Sequence, residues 1–304
     1  MWPWREPDSR QRWYRGQANE SEPVISVSGL LRRSADLCVQ WCCVLALAGS
    51  TVVAETAGEG SRPVVPGPFP VGERLTYAVS WMGIRCGHME ISSFVETGAD
   101  GEDVYRIVLF AWTTKFFDGL YKVRSRLDSF VDPERMSSFR YEEHALEKKK
   151  RKDEVWVLDH ESGQAIRVKD GEETRIEIGA DQAFDPLAFV YRLRSMNPQL
   201  GSDMNLHLMT DKGALETLAR TTREKRVKTK AGRRDAVAVV PEPRDKMMFS
   251  KSGSMVVWIE TEEPRRPCRI EFDLPFGKLV ASLSGVEIAD GSPVRPPWEA
   301  EEKR

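Results

Sequence analysis

The sequence predicts a mainly β fold: an antiparallel, strongly curved sheet or partly open barrel of many hairpin-connected strands, with one short helix at about 185–195 packed on it. Three observations lead there. Leu75, Tyr77, Val79 and Trp81 alternate with Thr76, Ala78 and Ser80, a period of two that puts large apolar side chains on one face. The same rhythm returns through most of the chain after residue 70, broken by turn dipeptides such as Asp170-Gly171. Only Asp185-Pro186-Leu187 opens a convincing helix, with an aspartate to cap exposed amides and a proline at the first helical position.

In chain order, Gly83 and Gly87 interrupt the first alternation as a hairpin turn or bulge before Met89 and Ile91 resume it. Tyr105–Trp112 is apolar on both faces and reads as a central strand. Phe116-Phe117-Asp118-Gly119 reads as a turn, and Tyr121–Ser129 as a one-sided strand stopped by Asp132-Pro133. Phe139–Ala145 follows in the same rhythm. Read alone, the run Lys148-Lys149-Lys150-Arg151-Lys152 looks like a nucleic-acid or lipid patch, but it is bracketed by Glu142, Glu143, Glu147, Asp153 and Glu154, so its net field is small and it reads as a solvated, lysine-protected strand edge. Ala165–Val168 and Thr174–Ile178 flank the Asp170-Gly171 turn. Within the helix, Leu187, Val190, Tyr191 and Arg194 share a face. Leu206 and Leu208 start a further strand, and Leu215–Val227 with Ala236–Val240 make a long hairpin turning at Ala231-Gly232. Met255–Glu260, Cys268–Phe272 and Lys278–Leu283 form a closing meander.

Composition bounds the rest. The chain has 304 residues, 40% hydrophobic and 30% charged, enough for one large domain. A formal net charge of -2 argues against any global attraction to nucleic acid or anionic membrane. Residues 1–29 are polar and Arg-rich and read as a non-native or disordered extension. Residues 30–54 read as a signal peptide, with Leu31-Arg32-Arg33, an apolar run from Leu37 to Ala48, and small residues ending Val52-Val53-Ala54. Cleavage is expected after Ala54, with Ala48 the second choice. The run is too short to span a bilayer, which needs about 20 apolar residues. Either the positive flank is unusually long or translation starts nearer Gly29, the second being preferred. Residues 55–70 are a Pro/Gly linker, 71–288 a single β-rich domain, and 289–304 a loose tail. A soluble periplasmic protein with no transmembrane span in its mature chain is the expectation.

Cys86 and Cys268 remain after cleavage, in a compartment where disulfides persist. They read as buried thiols packing as small hydrophobes, with a Cys86–Cys268 disulfide as the alternative. Nothing in the chain assembles a catalytic or metal constellation. His88, His144, His160 and His207 are scattered, no Gly-x-Ser-x-Gly elbow occurs, and no phosphate-cradling glycine loop is present, so no cofactor, no metal and no enzyme activity is expected.

Three stretches together resemble the bacterial family of domain of unknown function 3108. They are Gly72-Glu73-Arg74-Leu75-Thr76-Tyr77 with Trp81, Gly83 and Gly87; Asp185-Pro186-Leu187 with Tyr191-Arg192-Leu193-Arg194; and Trp258-Ile259 through Arg266-Pro267-Cys268-Arg269 to Gly277-Lys278-Leu279. The resemblance covers roughly residues 70–285 and implies an exported envelope protein with a β-rich fold and no assigned activity. The closing meander is also similar to the lipoprotein carriers of the Lol system, which wrap a curved sheet around an apolar cavity. Three functions stay open: a non-catalytic protein holding an apolar ligand or envelope partner, a scaffolding domain with a filled core, and a hydrolase of envelope polymers. The first expects Tyr77, Trp81, Phe110, Trp112 and Trp258 to line the cavity.

Overall fold

Strands that alternate need partners, and here each finds them almost entirely through hairpins. The computed structural model describes residues 69–97, 103–179, 182–244, 254–275, 277–288 and 295–301. The expected extension and signal peptide, and the linker but for its last two residues, lie outside the described residues. The first half contains β1 (Glu73–Trp81), β2 (Ile84–Thr97), β3 (Asp103–Thr113), β4 (Val123–Val131), β5 (Ser138–Glu147), β6 (Lys150–Asp159), β7 (Gln164–Lys169) and β8 (Glu172–Glu177). The second half contains β9 (Asp203–Thr210), β10 (Gly213–Thr229), β11 (Gly232–Pro243), β12 (Ser254–Glu260), β13 (Pro267–Leu274) and β14 (Gly277–Ile288). Helices α1 (Lys115–Tyr121), α2 (Pro186–Ser195) and α3 (Trp298–Glu301) complete the described elements.

All fourteen strands join one antiparallel sheet in the order β8 to β1 and then β14 to β9. The first and last strands pair with each other, Glu73 opposite Ile288 and Val79 opposite Ala281. The sheet is the curved, open one that the alternation predicts, and its free edges are β8 and β9. At that seam Phe184 pairs in parallel with Leu208, and Gly213 approaches the other edge strand. A Cβ on Gly213 would lie 2.6 Å from the Glu177 carbonyl oxygen, and its φ is +113°. A side chain there would be strained and would push the seam apart.

Helix α2 closes one end of the curl. Asp185 caps it, accepting from the amides of Leu187 (2.8 Å) and Ala188 (3.0 Å), while Ser129 of β4 donates to the same carboxylate at 2.5 Å. At the other end of the helix Arg194 reaches Glu73 of β1 at 2.6 Å, with both side chains fully buried. Arg194 Nε donates to the Pro264 carbonyl at 2.6 Å, and Arg266 takes the other Glu73 oxygen at 2.8 Å. Phe69 packs edge-on to Tyr191 and tilted on Tyr105. Every strand residue in this set lies near the same strand ends, so the helix is a plug across one mouth of the sheet.

Three expectations are corrected. Phe116–Gly119 is not a turn but part of α1, because Thr114 supplies a cap whose side chain accepts from the Phe117 amide. The lysine run is not a sheet edge: β6 pairs with both β5 and β7, and the exposed tip is the hairpin turn at Lys148, whose φ is +55°. The edge role falls instead to β8, Glu172–Glu177, itself crowded with charges that discourage pairing with another chain. Within the tail expected to be loose, residues 295–301 are described, and Trp298 packs edge-on to Phe110 and tilted on Trp112.

The disulfide left open is also absent: Cys86 and Cys268 are both buried and are not joined to each other. β2 and β13 are separated by β1 and β14, three strand spacings of about 4.8 Å, well beyond the reach of a disulfide. Burial pushes the Cys268 thiol up to about 12. Cys268 is therefore expected to resist alkylation by iodoacetamide in the native protein and to react fully in urea, an outcome read from the intact mass.

Candidate functional site

Register decides which side chains share a face. Leu75, Ile91, Leu109, Leu127 and Glu143 stand opposite one another in succession across β1 to β5. Val79, Ala281, Ile270 and Val257 do the same across β1, β14, β13 and β12. This is the inner face, the one that α2 contacts through Glu73 and Ser129. Its middle is fully buried, with Leu75, Ile107, Leu127, Val257 and Leu283 each 0% exposed.

The inner face changes character toward the end away from α2. Val79, Ala111, Met255 and Phe272 pack on the core but are only partly buried. Trp81, the last residue of β1, and Leu279, opposite it near the start of β14, are half-buried too. The helix at this end, α1, contributes no buried residue and so does not plug it. An apolar wall is thus left accessible on one side of the open mouth.

The wall beyond it is ionic. Glu143 and Glu154 are directly opposite across β5 and β6, and Lys152 bridges them at 2.5 Å and 2.9 Å. Arg167 and the Trp156 ring nitrogen both donate to Glu154, at 2.6 Å and 2.8 Å, and Tyr141 donates to Glu143 at 3.2 Å. Burial raises the Glu143 carboxyl to about 7, against the pull of the Lys152 ammonium and with a push from the Glu154 carboxylate. The Lys152 and Arg167 cations hold Glu154 below the ordinary carboxylate range, outweighing its own desolvation, the largest single effect on it.

That arrangement carries a pH signature. Unfolded, Glu143 returns to an ordinary value of 4.5, so between about pH 4.5 and 7 the folded chain holds a proton that the unfolded chain has released. A group raised in the folded state stabilises fully below its unfolded value, and that contribution is lost as pH rises through the folded one. Stability should fall by about 1–3 kcal/mol across the window. Glu143→Gln is expected to flatten this slope in urea melts run at pH 4.5 and 7.5; an unchanged slope would assign it elsewhere.

The five aromatics expected to line one cavity do not share a face. Tyr77 and Trp81 point inward with Val79, and the Tyr77 hydroxyl donates to the Pro267 carbonyl at 2.8 Å. Phe110 and Trp112 lie on the opposite face, with Ala78 and His88 in their registers, under Trp298. Trp258 is on that outer face too, opposite Arg269, with Lys225 Nζ 4.2 Å from its ring centre. Sequence reasoning missed Glu143, Lys152, Glu154 and Arg167. Their convergence depends on the β5–β6 register, which no single stretch displays.

Among the described residues no group of three His, Cys, Asp or Glu is placed to hold a metal ion. His88 stacks on Trp112 at 5.1 Å, and burial pushes His144 down to about 3. No helix of the described residues is long and apolar enough to cross a membrane, which says nothing of crossing by strands.

One solved structure agrees with the fold. A β-barrel-like protein of the domain of unknown function 1849 from Brucella abortus matches with a TM-score of 0.50 at 12% identity, over 73% of this chain and 99% of that one. A protein with a YmcC-like fold from Bacteroides fragilis matches with a TM-score of 0.28 at 11% identity, over 73% of this chain and 98% of that one. No curated protein matches the chain. The family model described as protein of unknown function (DUF3108) matches residues 76–284, from the second half of β1 to most of β14. The chain belongs to the DUF3108 family.

Proposed function

We propose that the chain is a non-catalytic periplasmic protein, exported by a signal peptide cut after Ala54, that holds a lipid or other apolar molecule against the open end of its inner face. One observation carries this reading: the sheet is plugged at one end by α2, while at the other Val79, Trp81, Met255, Phe272 and Leu279 keep apolar surface within reach of solvent. A filled fold would bury those side chains; a one-ended cup leaves them for a guest. The ionic wall of Glu143, Lys152, Glu154 and Arg167 would face the polar end of such a guest.

Native mass spectrometry of the chain purified from the periplasm tests the reading, followed by denaturing extraction. An apolar molecule at near one per chain, lost in Trp81→Ala, supports it. A clean mass, with tryptophan fluorescence unmoved by added lipid, favours the scaffolding domain.

A hydrolase has one observation in its favour, two carboxylates held apart in acidity across β5 and β6. Lys152 already occupies the space between them and pairs with both, so a substrate would have to displace a buried ion pair. Glu143→Gln would abolish any such activity.

A further inference from the structure

The rim around the open end carries a second surface, separate from the inner wall. Seven large apolar side chains are strongly or moderately exposed among the described residues, and four of them lie here: Met82 (65%), Ile84 (62%), Phe116 (75%) and Leu120 (67%). Met82 sits in the β1–β2 turn and Ile84 opens β2. Phe116 and Leu120 are four apart on α1 and so share its outward side.

These elements are neighbours. The Thr114 amide donates to the Cys86 carbonyl at 2.9 Å, which ties the start of α1 to β2 two residues beyond Ile84. On its other side α1 meets the β5–β6 turn, where the Lys148 amide donates to the Lys122 carbonyl at 2.7 Å and Lys148 Nζ lies 4.8 Å from the centre of the Tyr121 ring. Met82 donates its amide to the Lys278 carbonyl at 2.8 Å, joining the β13–β14 turn to the same rim.

Charge is not mixed evenly around that apolar ridge. Arg85, Lys115, Lys148, Lys149, Lys150 and Arg151 are exposed on the elements that flank it, and the exposed Lys278 is already paired with Glu271 and Asp273 at 3.0 and 3.1 Å. The acids on the same elements are mostly engaged: Asp118 by Arg124 at 2.6 Å, Glu147 by the Tyr121 hydroxyl at 3.1 Å, and Asp273 by Lys278 at 3.1 Å. Asp153 and Asp170 lie further along, near the β7–β8 turn. The whole chain is slightly acidic, so this basic rim is a local feature and not a property of composition.

An exposed apolar ridge within a cationic collar matches the cross-section of an anionic bilayer surface, which offers acyl chain beneath a layer of phosphate. A protein partner would have to present the same layering on one face. We propose that the open rim docks onto an anionic lipid bilayer, with Phe116, Leu120, Met82 and Ile84 entering the acyl boundary and the flanking lysines and arginines resting on phosphate. The proposal stands on the rim itself and not on whether the inner wall holds a guest, and the two tests read different observables.

The test is co-sedimentation of the exported chain with vesicles of phosphatidylcholine alone and of phosphatidylcholine with phosphatidylglycerol at 3:1. Pelleting with the anionic vesicles is expected, at least tenfold weaker with the neutral ones, and strongly reduced by 0.5 M salt. Phe116→Ser/Leu120→Ser should lower binding at least tenfold with an unchanged urea midpoint, since neither side chain is buried. Lys149→Glu/Lys150→Glu should lower it through charge alone and so provides an independent variant. Binding equal for wild type and both variants, or none by the wild type, overturns the proposal. So does concentration-dependent self-association in analytical ultracentrifugation that Phe116→Ser/Leu120→Ser abolishes, because the ridge would then be covered by a second copy.

Discussion

Replacing Arg194 with methionine should cost about 3–5 kcal/mol of stability, one of the two largest effects expected of any single change in the chain. The guanidinium is fully buried, pairs with an equally buried Glu73 at 2.6 Å and satisfies the Pro264 carbonyl. Methionine fills most of the volume but leaves a carboxylate far from water with only Arg266 as its ionic partner. The loss is the desolvation of a half-compensated charge, not the net worth of the pair. For a domain of this size the melting temperature should fall by about 10 °C. Glu73→Gln in the Arg194→Met background should recover part of that, because it removes the stranded charge. A fall of only a degree or two would mean that water reaches the plug in solution.

Trp258→Ala is expected to cost about as much, 3–5 kcal/mol, for a different reason. Trp258 is 1% exposed and fills the outer face between Lys225 and Arg223, its ring nitrogen donating to Glu271 at 3.2 Å. Alanine leaves a cavity, removes two cation–π contacts of about 0.5–2 kcal/mol each, and frees a buried acceptor. Because Trp258 faces away from the curl, its loss should lower the urea midpoint while leaving the ligand bound per folded molecule unchanged. Trp81→Ala should do the reverse, with a small stability cost and a large loss of ligand. This pair of measurements separates the two faces of the sheet directly.

What the sequence displayed and what it hid divide along a physical line. Strand rhythm, the Asp170-Gly171 and Ala231-Gly232 turns, and the Asp185-Pro186 cap are local, and each is found where its residues place it. Facing is not local when both faces are apolar. By sequence Phe110 and Trp112 read alongside Tyr77 because nothing in Tyr105–Trp112 marks an outside; that side is apolar since Trp298, nearly two hundred residues later, covers it. The ionic wall was hidden for the converse reason. Glu143, Lys152 and Glu154 look like members of a solvated charge run until the turn at Lys148 sets a register that folds three of those charges inward. Helix α1 is hard to see in the sequence because Gly119 and three aromatic residues give it little intrinsic propensity, and its cap at Thr114 supplies what the composition lacks.

The pairing of β1 with β14 has a consequence for the order of events in the cell. Glu73 finds its partner Ile288 only after more than two hundred intervening residues have been made, so the sheet has two unfinished edges at its centre until the last strand emerges. Contacts at that sequence separation are slow to form. The central seam is thus the last part of the sheet to close, and a chain stopped short of β14 would leave the β1 and β13 edges open to pair with another chain.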